Sequence, residues 1–390
     1  MQSVSERAAR LEIVRVQEKH ADALAAFIRV VWNPAATATS VLAARAVGAQ
    51  HNVAEPGVAP PTWIALRGGR VLGYVTTIPA RFWNGTRDWP GYWIKGLMVL
   101  PEFQNGPIGY HVLKAAAEAL PLSGGLAVAP PARRLFTALG YKDCGAIDNW
   151  LRPLRPGRIV QRVDMTQLGL SRMPSWMPTL VKVARTSGLG AAAGLSAGWA
   201  LRLMAAVRRA GTGDFSSEIL DPALHAHDVA SLWRRCSAAL GSAVVRTPDY
   251  LVPRYPTEPD GHYRWVGVRR GQSLVGLAIV RTPRDAGDER LRGIRVATLS
   301  DLVLDPADAK SGLALLGAVE RTARTLDADA LLASSSSISA VRLFRRQWYL
   351  PLGGTIHLLF RASRESGADF GESARDWWLQ RGDGGSDDAL

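Results

Sequence analysis

Two hydrophobic periods alternate along the chain, and the switches between them predict most of its elements. Residues 11–16 carry apolar Leu11, Ile13 and Val16, the pattern of a short strand. Over 21–32, Leu24, Phe27, Ile28 and Val31 fall at helical spacing, and Asn33-Pro34 ends that helix. A proline-rich loop covers 53–61. Apolar runs at 63–66 and 71–78 then flank Arg67-Gly68-Gly69-Arg70, a hairpin signal. The pattern next predicts a strand over 92–100, a helix over 108–120 stopped by Pro121, and a buried strand over 125–129. A helix over 132–139, ended by Gly140, and a strand near 149–154 complete this half.

The same order returns in the second half. It predicts a helix over 228–239, strands over 263–268, 274–281 and 294–304, a helix over 312–326, a strand over 330–334, a helix over 340–346 and a strand over 355–361. Landmarks repeat with it. Trp63-Ile64-Ala65-Leu66-Arg67 is answered by Trp265-Val266-Gly267-Val268-Arg269, and Leu97-Met98-Val99-Leu100-Pro101 by Leu302-Val303-Leu304-Asp305-Pro306. An Ala-x-Arg-Leu-Phe segment runs from Ala132 to Phe136 and again from Ala340 to Phe344. A repeat of this length is a duplicated domain rather than a solenoid period. The expected fold is α/β with a mixed sheet, in two tandem domains, 1–154 and 214–365. A connector over 155–213 and a tail over 366–390 complete the chain.

Composition changes this picture in three places. At 390 residues, with 47% hydrophobic and 21% charged, the chain fits two globular domains and excludes wholesale disorder. Cys144 and Cys236 stand alone, outside any metal-ligand spacing, and the seven histidines are scattered, so neither a disulfide framework nor a metal is implied. With polar residues 1–10 and no signal-peptide pattern, a reducing, cytoplasmic location is expected. The net charge of +13 is concentrated: residues 151–215 hold ten basic and two acidic side chains. Such a field attracts anions, and a solvated arginine-rich linker is the competing reading. The Gly/Ala-rich stretch 188–207 is too poor in Leu, Ile and Phe to span a membrane. It reads first as a helical connector and second as an interfacial helix at the inner membrane face. In the tail, Trp377-Trp378 predicts a docked segment, because paired indoles are costly in water.

Candidate chemistry lies where the strand over 92–100 turns into the helix beginning at Ile108. The stretch reads Leu97, Met98, Val99, Leu100, Pro101, Glu102, Phe103, then Gln104, Asn105, Gly106, Pro107, Ile108, Gly109 and Tyr110. A strand that stops before a glycine-containing loop and a helix presents free amides and the positive end of a helix dipole, a seat for phosphate. In the second half the same place reads Asp305, Pro306, Ala307, Asp308, Ala309, Lys310, Ser311 and Gly312, with one glycine and two carboxylates that would repel a diphosphate. Asp301 lies on the second central strand, where the first half has Gly96. It reads as a general base with a raised pKa or as half of a buried ion pair. Lys95, beside Gly96, reads as an anion contact or a surface lysine.

This junction resembles the acyl-CoA motif of the GNAT superfamily of acyltransferases. Gln104, Gly106-Pro107 and Gly109 occupy its Gln/Arg-x-x-Gly-x-Gly/Ala loop. Ala132, Leu135, Phe136, Leu139, Gly140 and Tyr141 occupy its second marker. The resemblance implies that backbone amides from Gln104, Asn105, Gly106, Ile108 and Gly109 hold the diphosphate of acetyl-CoA or another acyl-CoA. It also implies that Leu97, Met98 and Val99 pair with the pantetheine arm. Two departures matter. Pro107 removes one N–H from the cradle, and Phe136 stands where many members have an acidic tyrosine, with Phe344 in the second copy. The expected partner is a small-molecule acceptor, an amine or hydroxyl such as an amino sugar or glycan precursor, with nucleic acid not expected. An aminoacyl-tRNA-dependent transferase similar to the FemAB proteins and a non-catalytic acyl-CoA sensor are the alternatives.

Overall fold

The structure, a computed structural model, describes residues 10–162, 214–257, 261–285 and 289–388. Most of the connector expected over 155–213, including its Gly/Ala-rich stretch, therefore lies outside the described residues. Contacts divide the chain into two units. Unit one is the described part of Met1–Phe82 with Asp88–Cys144 and His357–Phe370. Unit two is Trp83–Arg87 with the described parts of Gly145–Ile356 and Gly371–Leu390.

Unit one is built on β1 (Glu12–Arg15), β2 (Trp63–Arg67), β3 (Arg70–Asn84), β4 (Asp88–Val99) and β5 (Leu122–Leu126). β1 and β3 both pair antiparallel with β2, and the β2–β3 hairpin turns where Gly68 and Gly69 adopt positive φ. β4 runs parallel to β5. The Ile108–Ala119 helix lies on this sheet through Ile108, Val112, Leu113, Ala116 and Ala117, all buried in one core with Ile64, Val71 and Val75. A Cβ on Gly73 would stand 2.5 Å from Ile108 Cγ2, so Gly73 lets the helix start rest directly on β3.

The predicted strand over 125–129 forms three residues earlier. Gly124 and Gly125 are strand residues because Trp93 and Phe136 press on them, leaving no room for a Cβ, and Ala127 ends the run with φ +57. The Ala38–Gln50 helix carries no signal in the hydrophobic pattern, since Val41 is its single buried side chain.

The closing strand of each sequence copy belongs partly to the other unit. β6 (Lys142–Pro153) pairs antiparallel through residues 149–153 with β12 (Ala330–Ser334) of unit two. β13 (Leu350–Ala362) pairs antiparallel through residues 358–362 with β5 of unit one. The division at residue 154 read from the sequence therefore does not coincide with the division by contacts. Arg152 shows why β6 is committed to unit two: it is fully buried and donates to Glu320 at 3.2 Å, on the Ala309–Thr325 helix. Unit two continues with β7 (Phe215–Leu220), β9 (Tyr263–Arg270), β10 (Ser273–Asp285) and β11 (Arg295–Leu304), all antiparallel in sequence order of pairing β7–β9–β10–β11, and β11 runs parallel to β12. β8 (Ser242–Val244) pairs with β14 (Trp377–Trp378) in the tail. Both indoles are buried. Each covers on the order of 200 Å², about 5 kcal/mol of hydrophobic transfer as an upper figure. Among the described residues, no helix is long and apolar enough to cross a membrane.

Candidate functional site

The site in unit one begins with a parting of two strands. β4 and β5 pair at Tyr92 with Ser123 and at Trp93 with Gly124, and there the ladder ends. Gly96 follows with φ +64, a left-handed kink in the middle of β4 that a side chain would strain. Beyond it, Leu97, Met98 and Val99 are each half-buried, although they sit on a central strand of apolar sequence. A parted, half-exposed strand edge is of the kind to which an extended ligand can pair through its main-chain groups.

At the end of the groove the chain folds tightly. Leu100 is buried and donates to Leu72 O at 2.9 Å, and Pro101–Phe103 form a 3-10 turn. That turn uses two of the amides expected in the cradle. Gln104 N donates to Pro101 O at 3.4 Å and Gly106 N to Phe103 O at 3.0 Å. Pro107 has no N–H and caps the Ile108–Ala119 helix with no side-chain hydrogen bond. Among the described residues, no acceptor engages the amides of Asn105, Ile108, Gly109 and Tyr110. Of the amides expected to face a ligand, these four are the ones without an internal acceptor, three of them the first amides of a twelve-residue helix. Gln104, Asn105, Gly106 and Pro107 are exposed, Ile108 and Gly109 are buried, and Tyr110 is half-buried. The Gln104 side chain turns back to Val99 O at 3.4 Å.

Gly109 is not required by packing. A Cβ there would meet Val99 Cγ2 at 3.4 Å and Leu135 Cδ1 at 3.9 Å, both ordinary contacts. A glycine that the fold does not need, at the second residue of an uncapped helix, is what close approach of a diphosphate requires. Glu102, the one carboxylate in the turn, is paired with Arg70 at 2.6 Å. Hydrogen bonding to its own backbone, with Arg70 adding to it, holds its pKa below the usual carboxylate value.

Tyr74, which the sequence did not single out, lies beside the kink: a Cβ on Gly96 would be 3.5 Å from its ring. Burial raises its pKa, so the phenol keeps its proton. The Tyr141 phenol is already engaged, being buried against Phe136 and sharing a 2.7 Å hydrogen bond with Ser123. On the Pro130–Ala138 helix, Leu135 faces Gly109, while Pro130, Arg133, Arg134 and Thr137 form a different face. That face lines an open cavity of about 490 Å³ together with Pro131 and Asp143.

In unit two the corresponding junction is closed from within. Asp308 caps the helix, accepting from Ser311 N at 3.1 Å, and binds Arg270 at 2.8 Å. Asp305 accepts from Ala307 N at 2.8 Å. Burial acts to raise the Asp308 pKa, but the Ser311 amide and Arg270 outweigh it and hold the carboxyl below its usual value. Gly312 is a packing glycine, since a Cβ there would overlap the Leu343 side chain. Asp301 is wholly buried and accepts from Arg246 Nε at 2.6 Å, from Leu302 N at 2.8 Å and from the Tyr255 hydroxyl at 3.1 Å. This is the ion-paired environment, the second of the two readings of that residue. Lys95 is half-buried on β4.

The family comparison falls in the first half of the chain, the structural ones along most of it. Residues 28–141, which span β2 to β5 and the uncapped helix, match the acetyltransferase (GNAT) family. No curated protein sequence matches the chain. Among solved structures, the chain is similar to a GCN5-related N-acetyltransferase from Anabaena variabilis, with 12% identity and a TM-score of 0.56. The match covers 90% of this chain and 73% of that one. It is similar to a GCN5-related N-acetyltransferase from Kribbella flavida at 14% identity and 0.54, over 91% and 72%. The N-myristoyltransferase of Saccharomyces cerevisiae, solved with bound myristoyl-CoA, matches at 11% identity and 0.53, over 93% and 81%. At these identities the likeness is one of fold.

Proposed function

Because residues 28–141 match the acetyltransferase (GNAT) family, we propose that the protein is an N-acyltransferase. It moves an acetyl or longer acyl group from acyl-CoA to the amine, or a hydroxyl, of a small-molecule acceptor. The observation that carries this reading is the helix start at Ile108, whose first three amides have no internal acceptor and lie at the end of a parted strand edge.

In this reading the amides of Asn105, Ile108, Gly109 and Tyr110 take the diphosphate, with the helix dipole adding to them. Leu97, Met98 and Val99 take the pantetheine arm along the β4 edge and orient the thioester carbonyl, so that charge developing on its oxygen meets a main-chain donor. The acceptor amine attacks the carbonyl carbon; a C–N bond forms, the C–S bond breaks, and the amine proton passes to solvent. Phe136 cannot protonate the departing thiolate. Tyr74, a phenol kept protonated beside the kink, is the group assigned to that step, and it regains its proton from solvent. An amino sugar or other glycan precursor is the acceptor class to try first, on the family resemblance alone.

The test is turnover. Purified protein is incubated with acetyl-CoA and longer acyl-CoAs against a panel of amines, amino sugars and hydroxyl acceptors, and free thiol is followed together with acylated product. Product formed with at least one acceptor is expected. A rise in melting temperature with acyl-CoA but no product from any acceptor contradicts the enzyme reading, and no rise contradicts the binding reading as well.

A further inference from the structure

The tail lies in unit two at the place that corresponds to the parted strand edge of unit one. β11 and β12 pair from Val296 with Ala330 to Leu299 with Ala333, and there their ladder ends. As in β4, the central strand kinks at the parting: the β10–β11 register shifts between Ile279 and Val280, which leaves Ser300 as the extra residue. Here the parted edges are not open. On the β11 side, Gly382 N donates to Ser300 O at 2.7 Å, and the Trp378 indole donates to Leu302 O at 2.9 Å. Beyond the end of β12, Ser336 N donates to Leu379 O at 3.2 Å, and Gln380 Nε2 donates to Ser335 Oγ at 3.0 Å. The tail thus joins two strands that have separated. Burial records the result: Leu302, Val303 and Leu304 are at most 2% exposed, whereas their counterparts Leu97, Met98 and Val99 are half-buried.

The tail is also held by charge. Asp383 accepts from Arg246 at 2.7 Å and Asp387 from the Tyr263 hydroxyl at 2.8 Å, while Arg281 and Arg284 donate to Asp387 O at 2.7 and 3.0 Å. Arg254 donates to Gly382 O. Arg246 divides its donors between Asp301 and Asp383, so the tail carboxylate completes an arginine already committed to the core of unit two.

The structure assigns residues 377–387 as the permanent ligand of this groove, standing where unit one would hold the pantetheine arm, so that the chain carries one acyl-CoA site and not two. This inference rests on the acyl-CoA reading of unit one for the identity of the excluded ligand; the tail's occupancy does not. It also gives the tail a role that packing two indoles does not require, because the hydrogen bonds follow main-chain groups of both parted strands.

The test uses the full chain and two measurements. Calorimetric titration with a non-hydrolysable acetyl-CoA analogue should give one bound ligand per chain. Hydrogen exchange of the Leu379 and Gly382 amides should be slow, and unchanged when the analogue saturates. Two bound ligands overturn the assignment, as do tail amides that exchange freely or become at least tenfold faster on saturation. No bound ligand with the tail amides still protected overturns the acyl-CoA reading of unit one and leaves the tail as the occupant. Gly382→Ala supplies the control: its Cβ would overlap the Tyr255 hydroxyl and stand 2.7 Å from Ser300 O, so the tail must lift. Exchange at Leu379 should then rise tenfold or more, while amides of the Ile108–Ala119 helix keep their protection. A tail that stays protected in this variant contradicts the contacts described.

Discussion

Two glycines at equivalent turns show how one residue type serves different ends. Gly312 is fixed by Leu343, whereas Gly109 has room for a methyl group and faces an uncapped helix start. Gly109→Ala should therefore leave the melting temperature close to that of the parent, within about 1 kcal/mol, since alanine is the better helix former. Gly109→Leu should lower acyl-CoA affinity at least tenfold by titration, with circular dichroism unchanged. Equal affinity in the leucine variant would count against the seat. Tyr74→Phe separates proton transfer from binding: kcat should fall about tenfold or more with KM nearly constant, and an unchanged kcat would return the search for the acid to other groups. Asp383 offers a pH readout. Burial raises its pKa to about 6, against which Arg246, shared with Asp301, pulls downward. The native state thus holds this proton more tightly than the unfolded chain, whose carboxyl titrates near 3.8. Its contribution to stability is greatest below that value and declines as pH rises toward 6. Asp383→Asn, which cannot ionise, should remove that decline. The difference in melting temperature between parent and variant should change between pH 4 and 6 in favour of the variant, and a constant difference would show that Asp383 does not titrate there.

At the scale of elements, the hydrophobic period made the β2–β3 hairpin, the β4 strand, the Ile108–Ala119 helix and their second-half counterparts legible before any coordinates. It missed what depends on partners. The Ala38–Gln50 helix buries one side chain, so it has no stripe to read. β5 is shifted because Gly124 and Gly125 are strand residues selected by Trp93 and Phe136, which no local pattern reveals. The strand-loop-helix junction was legible, but not the use of Gln104 N and Gly106 N by the 3-10 turn, because the same residues could have left those amides free. The kink at Gly96 shows only once β4 is seen to leave β5. The β6 strand makes an energetic prediction. Arg152 and Glu320 are 0% and 5% exposed in their side chains, so Glu320→Ala would leave a buried guanidinium unpaired. It should cost about 3–5 kcal/mol in denaturant unfolding, whereas replacing both residues by apolar ones of similar volume should cost much less. A loss under about 1 kcal/mol for Glu320→Ala would show that water reaches the pair.

For the whole molecule, the two halves repeat one order of elements and differ at the turn before the helix. Each has a hairpin, a kinked central strand that parts from its parallel neighbour, and a helix after the turn. In unit one the helix start keeps its amides and the strand edge stays half-exposed. In unit two Asp308 caps the helix and the tail fills the parting. The sequence placed two carboxylates, Asp305 and Asp308, at the second turn, where both accept main-chain amides, and it predicted that Trp377 and Trp378 dock, as their burial bears out. The location of their docking was not legible, because it depends on main-chain groups of Ser300, Leu302 and Ser336 brought together only by the fold. Most of the positive connector expected over 155–213 lies outside the described residues, and with it the stretch expected to meet an anionic or membrane surface.

The central claim is that the first amides of the Ile108–Ala119 helix receive a diphosphate. Amide chemical shifts report this directly. When CoA is titrated into the labelled protein, the Ile108, Gly109 and Tyr110 amides should move together along one saturable curve, while the amides at the start of the Ala309–Thr325 helix stay in place. If the three amides do not move while CoA binds, or if CoA leaves every amide of unit one unperturbed, the claim is contradicted.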